Sequence, residues 1–183
     1  MSAYDKTFPV NIAGVQRALP IMKIKPGLRI AVLNILGDTE LVQAASEALS
    51  DQLSSLEYSV IVTAEAKSIP LAHVLSVVSE KPYVVLRKTH KPYMGESLCT
   101  ETLSITTGKP QMLYMDEKDR SLVSGTNVVL LDDVISTGST LKGMRLLMTQ
   151  AQAKVVGESA IFTEGDEDQW ANIYALGHLP IFG

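Results

Sequence analysis

The chain has 183 residues, 46% of them hydrophobic and 20% charged, and its 16 basic and 20 acidic residues give a net charge of −4. This composition indicates one globular domain with a sizeable buried core, and the acidic balance argues against a general electrostatic grip on nucleic acid, which needs a basic face. Cys99 is the one cysteine, so no internal disulfide bond can form. The sequence shows no signal pattern and no apolar run long enough to span a membrane. We therefore expect a cytoplasmic protein with neither a nucleic-acid nor a membrane partner.

The predicted elements alternate between strands and helices over most of the chain. Residues 1–27 carry Pro9, Pro20, Pro26 and Gly27, and we expect them to be irregular. Apolar runs predict strands at residues 28–35, 58–63, 82–87, 127–132 and 154–162. Helical spacing of apolar residues predicts helices at about residues 37–56, 68–79 and from 138 onward. This order predicts a single α/β domain over residues 1–183, with a mostly parallel central sheet flanked by helices.

A polar segment interrupts this alternation between the third and the fourth predicted strand. Residues 101–106 and 111–116 alternate weakly in polarity, and Gly108-Lys109-Pro110 lies between them. This pattern predicts a β-hairpin that projects from the central sheet.

The stretch from Val128 to Thr140 carries the strongest chemical signal of the sequence. Apolar residues lead to Asp132 and Asp133, and Ser-Thr-Gly-Ser-Thr follows at residues 136–140, where the next helix begins. Unpaired backbone N–H groups at a helix start, together with a glycine and hydroxyl groups, bind phosphate. Carboxylates would repel phosphate, but they accept hydrogen bonds from sugar hydroxyls. A ribose phosphate satisfies both sets of groups, and the chain has no G-x-x-x-x-G-K-[ST] loop for a nucleoside triphosphate.

The same stretch resembles the phosphoribosyl-pyrophosphate signature of type I phosphoribosyltransferases, and two further motifs extend the resemblance over most of the chain. Glu65-Ala-Lys-Ser68 resembles the pyrophosphate loop, and the Ile-Pro-Leu-Ala helix start that follows is similar to that of the adenine phosphoribosyltransferase branch. Tyr83-Val-Val-Leu-Arg-Lys88 resembles the strand that delivers a basic pair to the same ligand. The resemblance implies a pentosyltransferase that moves ribose 5-phosphate from phosphoribosyl pyrophosphate to a nitrogen of a purine base, adenine being favoured, and releases pyrophosphate.

The resemblance also implies roles for individual residues. Asp132 and Asp133 would hold the ribose, while Lys67, Arg87 and Lys88 would hold the pyrophosphate through charge-assisted hydrogen bonds. The residues expected to bind the 5′-phosphate are Ser136, Thr137, Gly138, Ser139 and Thr140. The pyrophosphate loop would consist of Glu65, Ala66, Lys67 and Ser68, with a non-proline cis peptide bond at Glu65–Ala66 or Ala66–Lys67. Mg²⁺ is the implied cofactor, held through the ligand and with Asp132 as the one candidate protein contact.

Residues 89–115 are expected to form a lid, because an oxocarbenium-like sugar centre must be shielded from water. Lys91 and Lys109 would reach the pyrophosphate from this lid. The chain departs from the adenine branch at two points: Ser104-Ile-Thr-Thr107 stands where a Glu-Tyr pair is usual, and Ser68 stands where glycine is usual.

A hood for the base is expected from residues 1–27 together with residues 163–183. Asn11 would hydrogen-bond an edge of the base, and Ile161 and Phe162 would stack on its face. These base contacts rest on position in the family pattern alone.

Two alternatives to an adenine enzyme stay open. The first is a xanthine or guanine phosphoribosyltransferase. The second is a regulator that binds phosphoribosyl pyrophosphate without catalysis, although residues 1–27 are too few for a winged-helix DNA-binding domain. The family is commonly dimeric, so we expect a homodimer.

Overall fold

The structure is a computed structural model that describes residues 6–103 and 110–183. Its strands are β1 (Thr7–Ile12), β2 (Val15–Lys25), β3 (Leu28–Ala31), β4 (Val60–Ala64), β5 (Tyr83–Leu86), β6 (Leu98–Leu103), β7 (Pro110–Met115), β8 (Asn127–Ile135), β9 (Lys154–Glu164), β10 (Tyr174–Leu179) and β11 (Ile181–Phe182). Its α-helices are α1 (Thr39–Leu53), α2 (Ile69–Ser79), α3 (Glu117–Val123) and α4 (Ser139–Gln150). No helix in the described ranges is long and apolar enough to cross a membrane.

Five of the described strands form the central sheet, in the order β10-β9-β8-β4-β5, and every neighbouring pair is parallel. The predicted fold class is confirmed: a parallel sheet lies between helices. Because the strands are parallel, the carboxyl ends of β4, β5, β8 and β9 meet at one edge. In open α/β sheets this edge is where ligands bind.

Side chains of β8 point alternately to the two faces of the sheet, as the period of two in a strand requires. Val129 and Leu131 join the core that contains α1 and α2, whereas Val128 and Leu130 join the core that contains α4. All four are fully buried, which explains why the sequence of β8 shows an unbroken apolar run. The alternation is interrupted at the two aspartates that follow, because Val134 packs against the core that contains α1 and α2 and Ile135 lies in the core that contains α4.

The predicted helices begin where capping chemistry allows. The Asp38 side chain accepts a hydrogen bond from the backbone of Leu41, 3.2 Å away, and so caps α1. Pro70 lies in the first turn of α2, where a missing N–H costs nothing. Gly138 precedes α4 with φ of +69°, a left-handed conformation that favours glycine.

The prediction that residues 1–27 are irregular is wrong. β1 and β2 form an antiparallel hairpin and belong to a four-stranded sheet in the described chain, in the order β1-β2-β3-β11. Pro9 is tolerated because β1 is an edge strand, and Ala13 and Gly14 make the turn with positive φ values. The predicted strand at 28–35 therefore ends early and lies outside the parallel sheet. Sheet pairing between β3 and β11 brings the two expected halves of the hood together.

The predicted hairpin is present as β6 and β7, although its stem is not a loose flap. Leu113 and Met115 of β7 are buried in the core that contains α4. Gly143 of α4 faces Thr102 of β6 so closely that a Cβ at this glycine would lie 1.9 Å from the Thr102 Cγ2 atom. Arg87 also pairs with Tyr114 through two backbone hydrogen bonds of 2.8 Å. The stem is thus fixed to the rest of the fold from two sides.

Candidate active site

The hydroxyl-rich loop at residues 136–140, which we name the phosphate loop after its predicted ligand, connects β8 to α4 at the carboxyl edge of the sheet. The first amide groups of α4 have no partner within the helix, and Lys142 makes the first intrahelical bond, to the Gly138 carbonyl. Together with Asp132 and Gln111, this loop lines a cavity of about 160 Å³. Ser136, Thr137, Gly138, Ser139 and Thr140 all lie on it. The five residues predicted to bind phosphate are therefore brought together around one small polar cavity.

The two aspartates are neighbours in β8 but have different surroundings. Asp132 is half-buried and lines the cavity described above. Asp133 is buried, with 6% of its surface exposed, and its carboxylate faces Lys67. Asp132 therefore lies on the cavity, whereas Asp133 lies beneath the pyrophosphate loop.

The pyrophosphate loop, residues 65–68, joins β4 to α2 and carries a cis peptide bond between Glu65 and Ala66, as predicted. The Ser68 hydroxyl lies 2.7 Å from Oδ1 of Asp132 and 3.3 Å from Oδ1 of Asp133. Lys67 Nζ lies 2.7 Å from Oδ2 of Asp133 and donates to the Leu33 carbonyl, 3.1 Å away. The contact between Lys67 and Asp133 is an ion pair rather than a directed hydrogen bond, because Oδ2 of Asp133 accepts no hydrogen bond from the described residues.

Glu65 ties the same loop to the basic pair that follows β5. Its carboxylate lies 2.6 Å from Nε of Arg87 and also accepts a hydrogen bond from the backbone of Lys88. This neighbouring carboxylate raises the pKa of Arg87. Lys88 is exposed, and its ammonium group makes no ion pair within the described chain. The three predicted pyrophosphate cations therefore differ: Lys67 and Arg87 are already paired with carboxylates, and Lys88 points to solvent.

Burial raises the pKa of Asp132 to about 7, and the nearby charge of Asp133 acts in the same direction. The Ser68 hydroxyl opposes this shift because it donates to the charged form. A carboxyl group with such a pKa titrates near neutral pH. This perturbation, in a cavity at the carboxyl edge of the sheet, marks Asp132 as a functional candidate.

Of the two lysines predicted to reach the ligand from the lid, the structure describes one. Lys91 precedes a short 3₁₀ turn at residues 92–94 that is anchored by the buried Met94. Lys109 lies outside the described residues, as does the departure from the family pattern at residues 104–107. Gln111 of β7 reaches the phosphate cavity. The hairpin stem thus contributes to the site at the foot of the expected lid.

The residues predicted to contact the base are not brought together with the cavity. Ile161 is fully buried and Phe162 is 3% exposed, and both belong to the core, where Phe162 packs against Gly177 of β10. Their assignment to base stacking is corrected to core packing, because β9 is covered on both faces. Asn11 caps the β1–β2 turn, since its side-chain oxygen accepts a hydrogen bond from Gly14, 2.9 Å away. Only its amide N–H₂ group is left for an edge of a base.

Three contacts at the site were not expected from the sequence. Trp170 packs against the phosphate loop: a Cβ at Gly138 would lie 3.0 Å from the indole ring, whose Nε1 donates to the Glu164 carbonyl 2.9 Å away. Gln111 joins the cavity, and the Leu33 carbonyl binds Lys67. Trp170 follows an acidic run and Gln111 lies in a polar hairpin, so no local pattern distinguishes either from a surface residue.

An anion-binding helix start, an acid on the same cavity and a loop bearing cations lie together at the carboxyl edge of a parallel sheet, which defines a class of sugar-phosphate-binding α/β proteins. Comparison with known protein families identifies one family within that class. Residues 33–171 match the model of the phosphoribosyl transferase domain, and the chain belongs to that family. The resemblance stated from the three motifs is confirmed.

Curated relatives differ in what their names describe. The purine biosynthesis transcriptional repressor PurR of Bacillus subtilis is 26% identical over 153 residues, which are 83% of this chain and 53% of the relative. The hypoxanthine/guanine phosphoribosyltransferase of Methanocaldococcus vulcanius is 33% identical over 106 residues, 58% of this chain and 54% of the relative. The adenine phosphoribosyltransferase of Thermosipho africanus is 29% identical over 127 residues, 68% of this chain and 71% of the relative. The chain spans about half the length of the first two relatives.

Among solved structures, the adenine phosphoribosyltransferase of Thermoanaerobacter pseudethanolicus superposes with a TM-score of 0.67. The match covers 94% of this chain and 95% of that structure at 18% identity, so it shows a shared fold.

Proposed function

We propose that this protein is a pentosyltransferase that transfers the 5-phosphoribosyl group of phosphoribosyl pyrophosphate to a purine base, giving a nucleoside monophosphate and pyrophosphate. The observation that carries the proposal is the cavity of about 160 Å³ on which Asp132 and the phosphate loop lie together. A carboxylate and an anion-binding helix start within one small cavity match the two ends of a ribose 5-phosphate. Family membership supplies the reaction class.

In this proposal the residues of the cavity bind and orient the sugar. The backbone N–H groups at the start of α4 and the hydroxyls of Thr137 and Ser139, 3.0 Å apart, receive the 5′-phosphate. Asp132 accepts hydrogen bonds from the ribose diol. Fixing the sugar at both ends leaves its anomeric carbon as the position where the leaving group departs and the base arrives.

The pyrophosphate must compete with carboxylates for its cations. Lys67 would leave Asp133, and Arg87 would leave Glu65, to bind pyrophosphate. The Lys67 side chain is 44% exposed, but the Asp133 side chain is only 9% exposed, so this exchange would leave a buried carboxylate without its cation. Pyrophosphate offers several negative charges to the same ammonium group, which would offset this cost.

Mg²⁺ fits the chemistry of this edge of the sheet, because it prefers carboxylate and phosphate oxygens and keeps several waters. Asp132 would hold it, directly or through a water, together with oxygens of the ligand. When bound, the ion would neutralise negative charge on the departing pyrophosphate. Asp132 and the phosphate loop would meanwhile keep the ribose in place.

We favour adenine as the base, on the strength of the Ile-Pro-Leu-Ala helix start and the sequence similarity to an adenine enzyme. Xanthine, guanine or hypoxanthine is the alternative, and the similarity to a hypoxanthine/guanine enzyme supports it. The hood strands β1 and β2 border an open cavity of about 570 Å³ that includes Asn11 and Arg17 and shares no lining residue with the cavity of Asp132.

The direct test is an incubation of the protein with phosphoribosyl pyrophosphate, Mg²⁺ and each purine base separately, with nucleoside monophosphate measured by chromatography. Turnover with one base supports the proposal and identifies the base. Binding of phosphoribosyl pyrophosphate without turnover on any base would overturn the enzymatic proposal.

Binding without turnover would instead support a second candidate, a regulator that responds to phosphoribosyl pyrophosphate. Two observations favour it: the PurR alignment covers 83% of the chain, and both Lys67 and Arg87 are paired with carboxylates. A sensor needs a loop whose partners change on binding, and this loop has such partners. Amide hydrogen exchange with and without phosphoribosyl pyrophosphate would reveal a change confined to residues 65–68 and their neighbours.

A further inference from the structure

Ser68 occupies the N-cap position of α2 but does not cap the helix. A serine at this position normally accepts a hydrogen bond from the second or third amide of the helix. Here the side chain makes no such bond and reaches across to β8 instead. Its residue surface is only 2% exposed. Because this buried hydroxyl makes no bond to its own helix, its hydrogen-bond partners must lie elsewhere, and they are Asp132 and Asp133.

The hydrogen bonds around this hydroxyl can be counted. A serine has one proton to donate, and the shorter contact, 2.7 Å to Oδ1 of Asp132, takes it. The same oxygen of Ser68 accepts from the backbone N–H of Asp133, 3.1 Å away. That N–H also points to Oδ1 of Asp132 at 2.9 Å. One oxygen of Asp132 therefore receives two donors, whereas its Oδ2 accepts no hydrogen bond from the residues that the structure describes.

We propose that Ser68 is a positioning residue for Asp132: its hydroxyl fixes one carboxylate oxygen and leaves the other to meet the ribose diol. This inference rests on the proposed function, because it assumes that Asp132 binds the sugar. In this role Ser68 acts on the sugar through Asp132. It also links the pyrophosphate loop to the ribose site, since movement of residues 65–68 would carry the hydroxyl away from Asp132.

The test compares two ligands that differ in the sugar. Ribose 5-phosphate carries the diol and the phosphate, whereas inorganic phosphate carries only the anion. In Ser68→Ala we expect the affinity for ribose 5-phosphate, measured by calorimetry, to fall about tenfold, because one hydrogen bond to a charged group is lost. The affinity for inorganic phosphate, measured by competition, is expected to stay unchanged.

Ser46→Ala is the matched control. Ser46, on α1, is also fully buried, and its hydroxyl contacts the Leu71 carbonyl of α2, 3.4 Å away. This variant loses the same atom but should bind both ligands as the unaltered protein does. Ser68→Thr keeps the hydroxyl and should recover at least half of the lost affinity in logarithmic terms. Should Ser68→Ala fail to fold, Ser68→Gly removes the same hydroxyl.

A double-mutant cycle completes the test. If Ser68 acts through Asp132, then Ser68→Ala should have less than a twofold effect on ribose 5-phosphate affinity in an Asp132→Asn background. Equal losses for both ligands, equal losses in Ser46→Ala, or additive losses in the cycle would each overturn the positioning role. If the unaltered protein binds inorganic phosphate but neither ribose 5-phosphate nor phosphoribosyl pyrophosphate, the proposed function fails first, and that result is distinct from the others.

Discussion

The phosphate loop and the pyrophosphate loop lie at the same edge of the sheet but are prepared for ligand in opposite ways. At residues 136–140 the backbone of a helix start supplies the donors, and Thr137 and Ser139 contact only each other among the described side chains. At residues 65–68, every polar side chain already has a protein partner, through Arg87, Asp133 and Asp132. One loop offers a preformed site, whereas the other must exchange partners.

The difference arises because the first loop offers backbone N–H groups to a ligand and the second offers charged side chains. The helix holds the first backbone N–H groups of α4 in place, and apart from a long contact of 3.5 Å between the Ser139 amide and Thr137 Oγ1 they remain available to an anion. Long cationic side chains are free to move and find the nearest carboxylate. The preformed loop should therefore set affinity for the sugar phosphate, while the paired loop should set the response to pyrophosphate.

The largest expected effect comes from the acid on the cavity. Asp132→Asn should weaken binding of ribose 5-phosphate roughly 10- to 100-fold, because the amide presents the diol with a weaker acceptor and removes the charge. Calorimetric titration measures it. Asp133→Asn should have a clearly smaller effect on the same ligand, since Asp133 lies beneath the other loop. A larger loss in Asp133→Asn would show that Asp133, and not Asp132, holds the ribose.

Gly138→Ala tests the preformed loop. Its φ of +69° is unfavourable for a side chain by about 1–2 kcal/mol, and the new Cβ would lie 3.0 Å from Trp170. We expect ribose 5-phosphate affinity to fall about fivefold to tenfold as the loop shifts. Gly125→Ala is the control, because its φ is +72° and a Cβ there would meet nothing within 4 Å.

Both glycine variants should lose a similar free energy of unfolding in denaturant titrations. If Gly125→Ala also weakened ribose 5-phosphate binding, the effect of Gly138→Ala would reflect general stability instead of the shape of the loop.

How much of this contrast could be predicted from the sequence differs between the loops. The phosphate loop was predicted because its donors are local: the hydroxyls, Gly138 and the helix start are contiguous. The different surroundings of Asp132 and Asp133 could not be predicted, because β8 runs to Ile135, three residues past the predicted end, and its alternation is interrupted at the two acids. The ion pair of Lys67 with Asp133 joins residues 66 positions apart, and only tertiary structure places them together.

The fold shows the same division between local and long-range information. α1, α2 and α4 were predicted from their apolar spacing, and the parallel sheet from the order of the elements. The β1–β2 hairpin was missed because Pro9 and Pro20 interrupt the pattern, although an edge strand such as β1 tolerates a proline. The short β11 is held by pairing with β3, about 150 positions earlier in the chain, and no local pattern encodes that contact.

A third, smaller effect is expected from the paired loop. Lys67→Ala should weaken phosphoribosyl pyrophosphate binding about fivefold and leave ribose 5-phosphate binding unchanged, because the ammonium group binds the pyrophosphate. Lys154→Ala is the control for lost charge, since Lys154 is exposed at the amino-terminal end of β9, away from the ligand edge. Equal losses for both ligands would make Lys67 a structural partner of Asp133.

Glu65→Gln should change affinity in the opposite direction. Removing the negative charge releases Arg87, so we expect pyrophosphate to bind about twofold to fivefold more tightly. Glu158→Gln breaks a comparable pair with Arg145, which joins β9 to α4 and includes no residue of this loop, and should leave pyrophosphate affinity unchanged. Weaker binding in Glu65→Gln would mean that Glu65 holds the loop in its binding conformation instead of competing for Arg87.

The smallest effect concerns stability of the ligand-free protein as pH changes. Asp132 has a pKa of about 7 in the folded protein against an ordinary value of 3.8, so between these values the folded state holds a proton that the unfolded state has released. The free energy of unfolding should therefore fall as pH rises from about 4 to about 7. Burial raises the pKa of Glu164 as well and adds a slope of the same sign.

Asp132→Asn should remove the contribution of Asp132 to the pH dependence of the free energy of unfolding, which denaturant titrations at successive pH values measure. Asp38→Asn should leave it unchanged, because Arg17 lowers the pKa of Asp38 and confines its contribution to more acidic solutions. A slope unaltered by Asp132→Asn would show that Asp132 ionises as readily in the folded chain as in the unfolded one. In that case the cavity would present a charged carboxylate to the ribose throughout this pH range.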